Sequence, residues 1–183
     1  MTITLNGTSG INTPGVVNTA AQTVATTLAV TGVSTLTGGF TVGATAAPAF
    51  SAYASTTQSI SSATFTKVTF GAEDYDTNSN FASSTFTPTV AGYYQINVTG
   101  SYAGSGSPTK EIFSLYKNGS VLQRLVDSSA FLSILSGSTQ VYMNGSTDYL
   151  EVYAYMTSTG TTVISSTTTS ETFRISGFLA RSA

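Results

Sequence analysis

Between residues 92 and 102 the chain alternates with a period of two. Tyr94, Ile96, Val98 and Tyr102 fall on one side, and Gln95, Asn97, Thr99 and Ser101 on the other. A helix cannot sort these residues, because its apolar face repeats every three to four positions; an extended strand with one buried face can. The same alternation returns near the C-terminus. Leu150, Val152, Ala154 and Met156 oppose Tyr149, Glu151, Tyr153 and Tyr155, and Phe173, Ile175, Gly177 and Leu179 oppose Phe178. Strands of this kind leave an apolar face that a second layer must cover.

Shorter segments at 49–53, 64–70, 112–117, 131–135 and 140–143 also read as strands. Asn118-Gly119 carries a two-residue hairpin signal, because both positions of that turn need positive φ, and Asn144-Gly145 marks another turn. Eight to ten short strands with turn signals between them make an all-β domain, a sandwich or jelly roll. Where both faces of a strand are apolar or aromatic, one fills the sandwich and the other needs a partner. The row Tyr149, Tyr153 and Tyr155, together with Phe178, forms such second faces, so oligomerisation is expected.

Composition narrows the chemistry. The 183 residues hold no Cys, His or Trp and only 8% charged side chains. Disulfides, thiol nucleophiles, zinc-thiolate sites and imidazole bases are thereby excluded. Six basic residues at a net charge of −2 give no footprint for nucleic acid, and no apolar run is long enough for a membrane-spanning helix. The N-terminus lacks the pattern of a signal peptide, so a soluble protein made in a cytoplasm is expected. So little charge suits a permanent assembly better than a free monomer.

Residues 1–48 differ from the rest. Ile3, Leu5 and Ile11 surround Asn6-Gly7 and Ser9-Gly10, the pattern of a small hairpin that needs a surface to lie on. Residues 14–30 are ambiguous. Val17, Ala21, Val24 and Leu28 keep a helical period, yet the segment is rich in Thr and Val, which disfavour helices. From 28 to 45, Leu28, Val30, Leu36, Phe40 and Val42 recur between Gly32, Gly38-Gly39 and Gly43. This is either a stem whose three copies cover one another's apolar faces or a flexible linker. The regular spacing of the aliphatics favours the stem. A restrained joint at Pro48 places the domain boundary, with a stem over 1–48 and a head over 49–183.

In the head, Phe70, five residues, Asp76, four residues, Phe81, then Phe86, five residues, Gly92-x-Tyr94-x-Ile96-x-Val98 resembles the signature of the C1q/tumour-necrosis-factor-like (TNF-like) jelly roll. Phe50-Ser51-Ala52-Tyr53 is similar to that family's opening strand and Phe113 to Gly119 to its middle hairpin. Asp148 to Val152 and Phe173-x-x-x-Gly177-Phe178-Leu179 resemble its last two strands. The short gap between Phe81 and Phe86, and the aliphatic Ile96 and Val98, depart from the pattern. The resemblance implies a compact homotrimer, with Tyr94 and Phe178 near the core or the three-fold contact; Phe50, Tyr53, Phe70, Phe86, Tyr153 and Tyr155 are expected with them in the head core or at the trimer interface. The opening residues Thr2 to Ile11 and the Leu-x-Val-x-Gly repeats resemble N-terminal regions of bacteriophage tail-fibre and virion-decoration proteins. Collagen-like Gly-x-y repeats are missing.

Other motifs have plain explanations. Glu73-Asp74-Tyr75-Asp76 is the one acidic cluster, either a calcium site or a solvated loop. Asp148 and Glu151 do not sit at a spacing that shares a cleft. Three of the four Asn-x-Ser/Thr sequons (Asn6, Asn97, Asn118 and Asn144) are Asn-Gly turns. Exposed tyrosines, Tyr102 and Tyr155 among them, pack at a trimer interface or stack on sugars. The expectation is a non-enzymatic, cofactor-free structural protein on a virion surface. It is a trimeric capsid decoration or short fibre, held to other virion proteins through Ile3, Leu5 and Ile11, with a stem packed through Leu28, Val30, Leu36, Phe40 and Val42. The alternative is a receptor-binding tail fibre whose head adheres to a host surface glycan or protein.

Overall fold

Strand β7 (Gly92–Gly100) sets the frame, because its alternation decides which side of every neighbouring strand is buried. Tyr94, Ile96 and Val98 are wholly enclosed, while Tyr93 on the opposite parity is exposed. The computed structural model describes residues 47–105, 108–129, 134–164 and 173–183. All of these belong to one unit, Val42–Ala183. The expected hairpin, the ambiguous segment 14–30 and all of the 1–48 stem up to residue 46, with Ile3, Leu5, Ile11, Leu28, Val30, Leu36, Phe40 and Val42, lie outside the described residues.

Among the described residues there is no helix, and every strand pairing is antiparallel. One sheet has five strands in the order β11 (Leu135–Met143), β7, β14 (Phe173–Ser182), β1 (Ala49–Tyr53) and β4 (Ala72–Asp76). The second has six. Its path runs β10 (Ser120–Ser128), β9 (Lys110–Lys117), β12 (Leu150–Thr157), β6 (Thr85–Phe86) and β5 (Phe81–Ala82), with β3 (Thr66–Lys67) beside β12. A small three-stranded sheet of β2 (Gln58–Ile60), β13 (Thr162–Ile164) and β8 (Tyr102–Gly104) closes one end.

The core lies between the two large sheets and is dominated by rings. Phe50 stacks on Phe81 and Phe86 at centroid distances of 5.0 and 4.3 Å, and Phe86 meets Tyr94 edge-on at 5.3 Å. Phe70, Phe113 and Phe173 continue the row, with Leu115, Leu150, Val152 and Met156 filling between them. Aromatic pairs in these geometries add about 0.5–1.5 kcal/mol each beyond the area they bury. Burial raises the Tyr94 phenol to about 12, and its hydroxyl donates to the Val90 carbonyl at 2.8 Å.

The first described residues and the C-terminal strand end meet near the start of β7. The Leu179 N–H bonds the Pro48 carbonyl at 2.9 Å, and the Ala183 N–H reaches the Ala91 carbonyl at 3.2 Å. The three-stranded sheet lies toward the other end, beyond Gly100.

Three segments differ from the sequence reading. The acidic stretch Glu73 to Asp76 is strand β4 on the edge of the five-stranded sheet, not a loop, because pairing with β1 overrides its poor strand composition. The strand expected over 64–70 shrinks to Thr66–Lys67, and Phe70 leaves the ladder to enter the core. The separate strands expected at 131–135 and 140–143 become the single strand β11, whose polar centre (Ser136, Gly137, Ser138) pairs with β7 without interruption. Residues 131–133 lie outside the described residues.

Candidate functional site

No described side chains converge as a catalytic or metal constellation. No group of three His, Cys, Asp or Glu side chains gathers among the described residues. Five of the described acids are occupied in structural work. Asp148 pairs with Lys117 at 2.8 Å and Glu151 with Lys67 at 2.7 Å, so the two carboxylates are held apart by separate lysines. Asp74 accepts from the Ser51 hydroxyl at 2.8 Å and pairs with Arg174. Those contacts, with Ser51 foremost, hold its carboxyl below the usual range. Asp76 turns the other way and accepts the Phe81 N–H at 2.7 Å, so the acidic cluster does not share one centre. Asp127 is shared by Lys110 and Arg124.

What the fold offers a partner is therefore surface. Of the residues expected in the core or at an interface, Phe50, Phe70, Phe86 and Tyr94 are buried between the sheets. The remainder lie on two different outer faces. Tyr153 and Tyr155 are on the outside of the six-stranded sheet, where the chain covers them itself. Tyr116 stacks on Tyr153 at 3.9 Å, and Phe65 lies 4.8 Å from Tyr155 and 6.3 Å from Tyr116. All four rings are half-buried, and Ile112 and Ser114 of the same strand face are fully enclosed. Burial is the first cause of the raised Tyr153 phenol, ahead of the neighbouring Glu151 charge.

The outer face of the five-stranded sheet is different. Register puts Tyr93 opposite Tyr142 and Arg181, and Gln95 opposite Phe178 and Gln140. Directly opposed residues share a face, so these side chains stand together. Phe178 is 49% exposed, Tyr93 47% and Tyr142 43%, with the Tyr93 and Tyr142 rings 5.4 Å apart. A cleft of about 370 Å³ opens between Tyr93, Gln140, Ala180 and Arg181. The next row, Ser138, Asn97, Ser176 and Ser51, is small and uncharged until it ends at Tyr75 of β4, an exposed aromatic. Beyond it, Tyr53 is half-buried with the Arg174 guanidinium 5.5 Å from its ring centre. Of the six basic residues, Arg181 alone has no carboxylate partner among the described residues.

The turns follow their sequence signals. Asn118 and Gly119 both have positive φ, 53° and 76°, and connect β9 to β10. Asn144 caps its own loop, its Oδ1 accepting the N–H groups of Ser146, Thr147 and Asp148 at 3.0 Å each.

No protein-family model and no curated protein sequence matches this chain. Solved structures do. Murine APRIL superposes with a TM-score of 0.52 at 10% identity, covering 73% of this chain and 98% of that one. The fold is the C1q/TNF-like jelly roll. Further likenesses are the globular domain of zebrafish complement 1qA protein and the Eiger TNF of S. frugiperda. The first has a TM-score of 0.49 and 18% identity over 74% of this chain and 99% of that one. The second has a TM-score of 0.43 and 14% identity over 75% and 93%. At such identities the jelly roll is shared and nothing finer.

Within this jelly roll, sequence reasoning grouped Phe178 with Tyr153 and Tyr155, whereas they stand on opposite outer faces. It did not single out Tyr93, Tyr142 or Arg181. The signal was available for one of them: in Gly92-Tyr93-Tyr94 the two tyrosines have opposite parity, so burying Tyr94 exposes Tyr93.

Proposed function

We propose that this chain is a non-enzymatic structural protein of a bacteriophage virion. It acts as a homotrimeric capsid decoration or short fibre, anchored by residues 1–48, with the jelly-roll head projecting outward. One observation carries the reading. A charge-poor N-terminal segment of Leu-x-Val-x-Gly repeats, too sparse in bulky side chains for a core of its own, precedes a jelly-roll head without collagen-like repeats. Such a segment holds a shape only where copies share an axis or where another surface supports it. The exposed aromatic face of the head supports the homotrimer from the other side, because large apolar patches on a soluble domain mark contacts. Four described carboxylates, Glu151, Asp148, Asp74 and Asp76, are tied to lysine, arginine or backbone, which supports a role without catalysis.

Quantitative gels of purified particles from the phage that encodes the chain test this reading. Tens to hundreds of copies per particle are expected for a decoration and a few for a short fibre; none would overturn the proposal. Purified protein that blocks adsorption at saturation would move the reading to a receptor-binding tail fibre. Light scattering of the full chain is expected to give three times the 18.8 kDa chain mass.

A further inference from the structure

We propose that Asn118 is a latent deamidation site. Its conversion is held off while the side chain is bonded to Asp148 and Tyr149, and once made it unlocks the β9–β10 hairpin.

The chain holds three Asn-Gly steps, at Asn6, Asn118 and Asn144. Such a step is reactive because glycine has no Cβ to keep its nitrogen away from the neighbouring side-chain amide. In deamidation the Gly nitrogen bonds the Asn Cγ and gives up its proton, and the amide nitrogen departs with that proton as ammonia. Water then opens the five-membered succinimide at either carbonyl, leaving aspartate or isoaspartate with a new carboxylate. Water is the co-reactant, and nothing is oxidised or reduced.

Asn6 lies outside the described residues, and the other two steps are held differently. Asn118 and Gly119 are both exposed at the hairpin tip. The Asn118 side chain is bonded across to the start of β12. Its Nδ2 donates to the Asp148 carboxylate at 2.8 Å, and its Oδ1 accepts the Tyr149 N–H at 2.9 Å. Ring closure requires Cγ to swing onto the Gly119 nitrogen, so both bonds have to break first. Reaction therefore proceeds from the locally opened hairpin, at a rate set by how often it opens. At the other step, Asn144 Oδ1 accepts three N–H groups, and Gly145 is wedged against the chain before β7, where a Cβ would stand 2.3 Å from the Ala91 nitrogen. That step is fixed at both residues. A Cβ on Gly119 would meet only the Tyr149 hydroxyl, at 3.3 Å, so once the Asn118 amide is released little else restrains the turn.

The products differ as well. Aspartate at 144 still accepts the same three N–H groups, now with a charge to strengthen them. Aspartate at 118 has no N–H to donate to Asp148 and sets one carboxylate against another. Isoaspartate there also adds a carbon to the main chain of a two-residue turn, whose length fixes the register of β9 on β10. Because the ammonia is gone, a lock lost by this route does not re-form.

The full chain is incubated at mildly alkaline pH, folded and in guanidinium chloride, and each Asn-Gly peptide is followed by mass spectrometry. Conversion at Asn118 is expected to be at least about tenfold slower in the folded protein than in denaturant, and to rise toward the denatured rate in folded Asp148→Ala. Asn118→Asp is expected to melt about 4 °C or more below wild type, and Asn144→Asp within about 2 °C of it. If Asp148→Ala does not fold, the folded-to-denatured ratio and the two aspartate variants decide. An Asn118 rate that is equal in the folded and denatured chain, or unmoved in folded Asp148→Ala, would overturn the shielding. An Asn118→Asp variant that melts with wild type would overturn the unlocking.

Discussion

The carboxylate of Asp148 receives the Asn118 amide at 2.8 Å, the Asn144 N–H at 3.0 Å and the Lys117 ammonium at 2.8 Å. It thereby ties the β9–β10 turn to the loop between β11 and β12. Asn118 completes the knot by accepting the Tyr149 N–H at 2.9 Å. The Asn118 amide, followed by Lys117, holds the Asp148 carboxyl below the usual carboxylate range against the opposing effect of burial. A carboxyl whose folded pKa is depressed stabilises the fold fully above its unfolded value near 3.9, and this contribution is lost as pH falls through the folded pKa. Asp148→Asn is expected to destabilise the protein at pH 7 by about 1–3 kcal/mol, since it removes a charged acceptor from a nearly closed site. Thermal melts at pH 7 and below pH 3 check the sign. The gap between wild type and variant must narrow in acid, and a gap that stays constant would show that charge is not what Asp148 contributes.

At the scale of elements, β10 and β11 lie on different sheets but pack closely, and Gly137 permits it. A Cβ there would stand 2.7 Å from the Leu125 carbonyl oxygen and 2.8 Å from its Cβ. Gly137→Ala therefore has to push β10 off β11, at a cost of about 1–3 kcal/mol. Faster amide exchange in β10 than in β7 should accompany the loss of stability; equal exchange in both strands would mean that the backbone absorbs the methyl elsewhere. The same strands show where sequence pattern carries and where it stops. Strands β7, β12 and β14 were legible because one face is buried along their length and the period of two survives. Strand β4 was not, since an edge strand paired on one side carries acids whose partners, Ser51 and Arg174 for Asp74 and the Phe81 N–H for Asp76, lie far off in sequence or outside the strand. Strand β10 was hidden by two register shifts, which break the period. The Ser and Gly centre of β11 resembled a turn, although its pairing partner holds it extended. Phe178 was legible as a second-face residue. That Tyr153 and Tyr155 are capped by Tyr116 and Phe65 was not, because those contacts join residues far apart in sequence.

For the whole molecule, the balance between self-sufficiency and assembly turns on how much apolar surface the head leaves uncovered. Its core is complete, with Phe50, Phe86, Tyr94, Phe113 and Phe173 enclosed, so the jelly roll has the interior of an independent domain. Yet three large rings, Phe178, Tyr93 and Tyr142, stand open as a strip on the outer face of its five-stranded sheet. If copies cover that strip, folding and association are linked, and stability must depend on protein concentration. For a trimer that unfolds to monomers, two-thirds of RT ln 10 is gained per protomer for each tenfold increase, about 0.9 kcal/mol. In a domain of this size that corresponds to about 2–4 °C in Tm per decade. Melts of the full chain across a hundredfold range should therefore shift upward by about 4–8 °C, whereas Tyr93→Ser combined with Phe178→Ser should melt at one temperature throughout. A wild-type Tm independent of concentration would mean that the exposed rings stabilise no assembly, and the strip would then have to be explained by a partner other than this chain.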